Sequence, residues 1–487
     1  MKYACLLLLF CSHLVLAQDD EGRFYLQFQQ KNNQYQQDEN TKEKTVLPQE
    51  QSARFFDEAS SVQDSKTAFD EAQLTQLIFI SINQRDWQSL ATYLDQYQQL
   101  DEYSEVVVLF AKGVLAKQAK RYADAQAYFS QMLALDADFL RGKLELARLL
   151  FDDKQYKQAK QLFNEIKPQL PPQTAQVVDV YLQAIEQRQS SGYASVGMVY
   201  NTNINHQQGK SECYQSVMYH GESICTHRRT AESPRQDLGY HYQASISQDI
   251  WTTRHHAIYT KGLLYGTAYD TEKSDSQQTL YIGIGYKYQN AKQTLSLLPF
   301  YEQYRLASHK LYQGYGFSAE YRYNLTDKMS VNLQQDYQKN HFSDNRVKLF
   351  NDGSLLSQYI TINQQIGDGT WVFYGLNHHH KNIRDKSSSY RQWGGRLGLY
   401  HVFANQSNLT ALAHYKKTKH QQSNLFIDEK IANYKEYGLS VQYAMPNYQV
   451  AGWHPVLGYK YQKQAANIGW FYDYSAQEVS LKLQKHF

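Results

Sequence analysis

The 487 residues carry little surplus charge, few cysteines and no recognisable catalytic signature. The net charge is only +3, and the basic residues are scattered instead of forming a stripe, which leaves no electrostatic footprint for nucleic acid. No zinc-protease helix motif, nucleophile elbow or paired-cysteine cluster occurs, so neither an enzyme nor a bound cofactor is expected. Gly209-Lys210-Ser211 resembles the end of a phosphate-binding loop. However, Ile204 stands where the first glycine is required, and no strand-to-helix turn is expected there. The run His378-His379-His380 makes a weak metal site, because on a strand only His378 and His380 share a face and two ligands seldom suffice. Interface or lumen histidines are the plainer reading.

There are only four cysteines, and they divide by position. Residues 1–17 have the form of a cleavable targeting segment: Lys2, then the apolar run Leu6 to Phe10, then Val15-Leu16-Ala17 before Gln18. Cys5 and Cys11 would leave with it, and Leu9-Phe10 before Cys11 lacks the small side chains of a lipid-attachment box. Cys213 and Cys225 remain, close together in a polar stretch, and in an oxidising compartment they are expected to pair. Metal binding with His220 or His227 is the alternative. Residues 18–65 are rich in Gln, Asn, Asp and Glu and poor in aliphatics, a composition that cannot offset the entropy of ordering. This leader holds two apolar islands, Phe24-Tyr25-Leu26-Gln27-Phe28 and Phe55-Phe56, either of which could dock in a groove or in the barrel predicted below.

From Gly192 to Phe487 there is no credible helix, and apolar and polar residues alternate in short segments. Leu280, Ile282, Ile284, Tyr286 and Tyr288 fall on one face, with Tyr281, Gly283, Gly285 and Lys287 on the other. Met329, Val331 and Leu333 oppose Ser330, Asn332 and Gln334, and two later segments repeat the pattern: Leu409, Ala411, Ala413 and Tyr415, then Tyr437, Leu439, Val441 and Tyr443. About fourteen such segments can be placed, joined by connections that alternate between short and long, which is the grammar of a bacterial outer-membrane barrel. The 42 tyrosines suit aromatic girdles at the two water interfaces. A soluble β-sandwich also alternates, but seldom sets tyrosine at nearly every strand end. The last segment sharpens the assignment, since Val479, Leu481, Leu483 and the terminal Phe487 look like the signal by which such barrels are recognised for assembly. The polar face carries both signs, in Lys287, Glu320, Arg322, Asp336, Arg396, Lys416, Glu436, Lys460 and Lys482, unlike a pore tuned for one charged small solute.

Between these regions the period is helical and repeats. Tyr122, Ala125 and Phe129 recur as Tyr156, Ala159 and Phe163, and Gly113 matches Ala147, all at the tetratricopeptide spacing of about 34 residues. A weaker copy uses Trp87, Leu90 and Leu94, offset by about one residue more. These side chains are expected to pack helix on helix, whereas binding residues would sit on the first helix of each pair, around Lys112, Lys117, Arg141 and Glu145. The expected organisation is a targeting segment (1–17), a leader (18–65), a helical solenoid (66–190) and a transmembrane antiparallel β-barrel (191–487), with the solenoid close beneath the barrel mouth.

In order and length these parts resemble the surface lipoprotein assembly modulators or modifiers, the Slam family. The most family-like stretch is Tyr200-Asn201-Thr202-Asn203-Ile204-Asn205, at the end of the first strand. The resemblance implies an outer-membrane translocator that delivers client surface lipoproteins, or related soluble haem- or metal-binding proteins, from periplasm to cell surface. Its implied partners are the client, periplasmic chaperones, the barrel-assembly machinery and outer-membrane lipids. An exopolysaccharide-export porin with periplasmic tetratricopeptide repeats is the alternative; such exporters tend to have more repeats and a lumen of one dominant charge.

Overall fold

The computed structural model describes residues 69–425 and 427–487. The predicted targeting segment and leader, with both apolar islands, lie outside them. The described residues form two compact units, one helical and ending at Gln189, the other built on Ser190–Ile250 and Ala257–Phe487.

The helical unit consists of α1 (Glu71–Gln84), α2 (Trp87–Tyr97), α3 (Glu105–Gln118), α4 (Tyr122–Leu135), α5 (Leu140–Asp152), α6 (Tyr156–Ile166) and α7 (Pro172–Gln189). A reciprocal cap starts α1: Asp70 Oδ1 accepts from the Gln73 N–H at 2.8 Å, and Gln73 Oε1 accepts from the Asp70 N–H at 3.0 Å. Arg85, Lys120 and Lys154 take left-handed backbone conformations in the turns within the three pairs. Their positions make the first interval one residue longer than the second, which is the offset noted above for Trp87, Leu90 and Leu94. Leu90, Ala125, Phe129, Ala147, Ala159 and Phe163 are enclosed and Tyr156 nearly so, while Trp87 and Tyr122 pack on the core partly covered. Gly113 is small for a direct reason: a Cβ there would lie 2.6 Å from the Phe129 ring.

The second unit is a closed barrel of fourteen antiparallel strands. These are β1 (Ser190–Asn201), β4 (Asp237–Thr253), β5 (His256–Tyr269), β6 (Gln277–Gln289), β7 (Gln293–Leu306), β8 (His309–Thr326), β9 (Met329–Phe342), β10 (Gly353–Gly367), β11 (Thr370–Ile383), β12 (Tyr390–Val402), β13 (Asn408–His420), β14 (Asn433–Ala444), β15 (His454–Ala466) and β16 (Tyr474–His486). Strand β1 is flanked by β4 and β16, and every other pairing joins strands that follow one another in sequence. Exposed Ile282, Ile284, Leu333, Leu376, Leu397, Leu439 and Leu481 mark the outward face. The barrel is thus read directly from the alternation.

Two features depart from that alternation. Strands β2 (Ser211–Tyr219) and β3 (Glu222–Thr230) pair as a separate hairpin inside the first long connection, exposed along nearly its whole length, so no buried face imposed a pattern to read. On the same end of the barrel, β7 and β8 are joined only by Ala307 and Ser308, both at positive φ, in a tight turn where the other connections are long.

The sheet closes where β1 meets β16, from Tyr193 opposite His486 to Asn201 opposite Glu478. Val479, Leu481 and Leu483 face outward beside Tyr200, Met198 and Val196. At the end of the ladder the Phe487 N–H donates to the Gly192 carbonyl at 3.0 Å, and its ring lies over the glycine, 2.0 Å from where a Cβ would be. Gly192→Leu should expel the ring and weaken closure by about 1–3 kcal/mol, the usual range for overpacking. A lower urea midpoint for loss of the compact, heat-modifiable gel form would show it; an unchanged midpoint would mean that the ring contributes nothing to closure.

Candidate functional site in the lumen, mouth and helical face

Lys287, Glu320, Arg322, Asp336, Arg396, Lys416, Glu436, Lys460 and Lys482 all fall on the strand face opposite the exposed apolar side chains, and so line the lumen. Three of these charges, Lys287, Lys416 and Glu436, are paired with an opposite charge at close range. Lys287 Nζ lies 2.6 Å from Asp249 and 4.0 Å from the centre of the Tyr259 ring. Lys416 and His414 meet Glu436 at 3.1 and 3.0 Å. Arg396 lies over Tyr359 at 5.0 Å and donates to Thr361 Oγ1 at 3.1 Å. Where opposite charges sit at these distances, their fields cancel beyond their immediate surroundings.

One feature of the lumen was hidden in the sequence. Tyr259, Leu263, Tyr281, Leu298 and Phe300 on β5, β6 and β7 all project inward and cluster, with the Tyr281 and Phe300 rings stacked at 4.8 Å. They form the apolar part of a cleft whose other end holds Lys261, Glu320 and Asp336. Of the histidine run, His379 points inward to Ser357 Oγ at 2.9 Å, while His378 and His380 lie on the opposite face. Among the described residues no group of three metal-ligating side chains converges.

At the end of the long connections, the asparagines after β1 build a polar knot. Asn203 Nδ2 donates to the Gln207 carbonyl at 2.7 Å and the Ser475 carbonyl at 2.9 Å, while Asn203 Oδ1 accepts from the Gln207 N–H at 3.1 Å. Asn205 works the same way, donating to the Ser233 carbonyl at 3.0 Å and accepting from the Arg235 N–H at 2.9 Å. Asn201 Oδ1 accepts from the Asn203 N–H at 2.8 Å. A side-chain amide can donate twice from one atom and accept on another, more than a single hydroxyl offers, which suits the repeated asparagine in Tyr200 to Asn205. The knot fixes both ends of the first long connection beside the β1–β16 seam. Within that connection Cys213 and Cys225 are joined by a disulfide across the β2–β3 hairpin.

In the helical unit, Lys117, Arg141 and Glu145 of the first helices are engaged internally. Glu145 lies 3.1 Å from Lys117 and 2.8 Å from Arg148, with about four-fifths of all three side chains covered. Arg148 also donates to the Tyr181 hydroxyl at 3.2 Å. Burial alone would raise the Glu145 carboxyl, but Arg148 and Lys117 outweigh it and hold it well below the usual carboxylate range. Arg141 lies over the Phe79 and Phe110 rings, at 4.9 and 5.6 Å, and burial lowers its pKa. Part of this network could be read locally, since Glu145 and Arg148 are three residues apart on one helix; the Lys117 partner could not.

Comparison with known proteins follows the same division. The profile described as "Surface lipoprotein assembly modifier" matches residues 191–487, and that of the N-terminal TPR repeats of the same proteins matches residues 61–163. The chain is 26% identical over 435 residues to a hemophilin secretion modulator of Acinetobacter baumannii, covering 85% of this chain and 86% of the relative. It is 22% identical to a surface lipoprotein assembly modifier of Haemophilus influenzae, covering 84% and 83%. It is 23% identical to surface lipoprotein assembly modifier 2 of Neisseria meningitidis, covering 78% and 79%. Among solved structures, the outer membrane protein OprD of Pseudomonas aeruginosa overlays 61% of this chain and 94% of its own, at 11% identity and a TM-score of 0.33, from which nothing of function follows.

Proposed function

The chain belongs to the surface lipoprotein assembly modifier family, and from that premise we propose that it moves client lipoproteins, or related soluble haem- or metal-binding proteins, from the periplasm to the cell surface. It is an outer-membrane protein, a closed β-barrel carrying a helical repeat unit. In this reading the helical unit lies in the periplasm and meets the client or the chaperones that hold it unfolded, and the barrel takes part in passage. Val479, Leu481, Leu483 and Phe487 serve the assembly machinery as the recognition signal of the last strand. The observation that carries the reading is the match of both family profiles in order along one chain. The mixed-sign and partly aromatic lumen supports it as well, because an unfolded polypeptide carries both charges and apolar side chains. A channel for an anionic polysaccharide would call for a lining of one dominant sign.

The decisive experiment is protease shaving of intact cells with and without this protein while total client abundance is followed. Loss of surface exposure with the client retained inside is the expected result. Unchanged exposure, together with lost extracellular polysaccharide, would overturn the proposal in favour of polysaccharide export.

A further inference from the structure

We propose that β12 to β15 carry, on the lipid-facing side of the barrel, a site for a phosphorylated glycolipid of the outer leaflet. The argument begins with the outward positions of these adjacent strands. Leu397 and Leu439 are followed, toward the long connections, by Trp393, Tyr415 and Tyr437, which face outward and are exposed. Beyond or beside the rings the same face ends in Arg391, Lys417, Lys419, Lys435 and Lys463, all exposed. The long connections of such barrels lie outside the cell, so the rings mark the outer water interface and the cations the level of the outer-leaflet headgroups.

The cations are not placed to suit one another. Arg391 stands directly opposite Lys419, and Lys417 directly opposite Lys435, and like charges so placed destabilise a sheet. Among the described residues none of these cations forms an ion pair; the one carboxylate in these strands, Glu436, faces the lumen and is held by Lys416 and His414. Nor is positive charge general to this rim, since outward positions near it hold Tyr200 on β1, Tyr240 on β4 and Gln477 on β16. Cations confined to one sector, opposed in pairs and left without carboxylates, call for an anion that reaches several of them at once. Lipid phosphate meets that demand. Its oxygens relieve both opposed pairs, the lysine stems lie along the wall, and the acyl chains rest on Leu397 and Leu439 beneath the rings. The inference concerns the barrel wall and is independent of which client the protein serves.

The test is equilibrium binding to the purified full-length protein in uncharged detergent, with lipid A bearing both phosphates as the probe. The triple variant Lys417→Gln, Lys419→Gln, Lys435→Gln should bind it roughly a hundredfold more weakly than the parent. Lys417→Arg, Lys419→Arg, Lys435→Arg, which keeps the charges, should bind as the parent does, and so should Lys339→Gln, an outward cation on β9 outside this sector. Lipid A stripped of its phosphates should bind the parent no better than the intact lipid binds the glutamine triple. Equal affinity of the parent and that triple overturns the site, and so do equal binding of the dephosphorylated lipid and an equal loss in Lys339→Gln. Displacement of lipid A by inorganic phosphate at comparable concentration also overturns it, because the ligand would then be a free anion. Should the triple fail to reach the compact, heat-modifiable gel form, Lys417→Gln alone should weaken binding several-fold, and an unchanged affinity would overturn the proposal.

Discussion

Glu145→Gln will destabilise the helical unit by about 3 kcal/mol, because it removes the anion that Lys117 and Arg148 share, leaving both cations largely covered with only the half-exposed Asp152, 3.8 Å from Lys117, as a carboxylate partner. For a unit of this size that corresponds to a fall of roughly 10 °C in its unfolding midpoint. The change in helical ellipticity of the full-length protein on heating would follow it, measured against the constant signal of a barrel that stays folded. The same network predicts a pH dependence. The folded-state pKa of Glu145 is depressed, so its contribution is complete above the unfolded value of about 4.3 and is lost progressively as pH falls below it. The unmodified protein should therefore lose helical stability on acidification below about pH 4.3, while Glu145→Gln, already lacking the charge, should be flatter across that range. A variant as stable as the parent at pH 7 would show that the pairs are no stronger than exposed ones.

Asn203→Ala should release the first long connection from the barrel, with a loss of about 3 kcal/mol spread over the three backbone groups that Asn203 satisfies. Asn203→Asp should be at least as damaging, because a carboxylate cannot donate to the Gln207 and Ser475 carbonyls and would face both of them. In purified protein the readout is trypsin cleavage after Lys210 or Arg235, against a barrel that stays compact on the gel. Cleavage should be fast in both variants and slow in the parent. Equal cleavage of all three proteins would mean that the hairpin is held elsewhere, for instance through Arg229, which donates to the Ile427 carbonyl.

What could be read from the sequence follows from what each environment demands. Lipid on one side and water on the other force a period of two, so the fourteen strands could be placed from residues such as Ile282, Ile284 and Leu481. The repeat packing was equally legible, because Gly113, Ala125 and Phe129 must fit one another by size. The β2–β3 hairpin was not legible, since strands exposed on both sides obey no such constraint. The inward cleft was masked by the very rule that located the strands: in β7 the run Leu295 to Phe300 is apolar at nearly every position, and the alternation assigns apolar side chains to lipid. The Lys117–Glu145 pair required the third dimension, since the partners lie 28 residues apart. Asn203 stood out only as part of a family-like stretch; its task appears once Ser475, from the far end of the chain, is beside it.

The seam between β1 and β16 also says something about time. Apart from β1–β4, which brackets the first long connection, every other barrel ladder joins strands that follow one another and can form as hairpins, whereas this one brings together residues such as Asn201 and Glu478, 277 positions apart. Long-range closure pays its loop entropy before any contact rewards it, so it comes last. Until β16 reaches β1, with Phe487 beside Gly192, the sheet exists with two unpaired edges, each a row of open backbone donors and acceptors of the kind that templates aggregation. The assembling barrel is therefore at its most adhesive just before it is finished, and the ladder that ends the vulnerability is the one between β1 and β16.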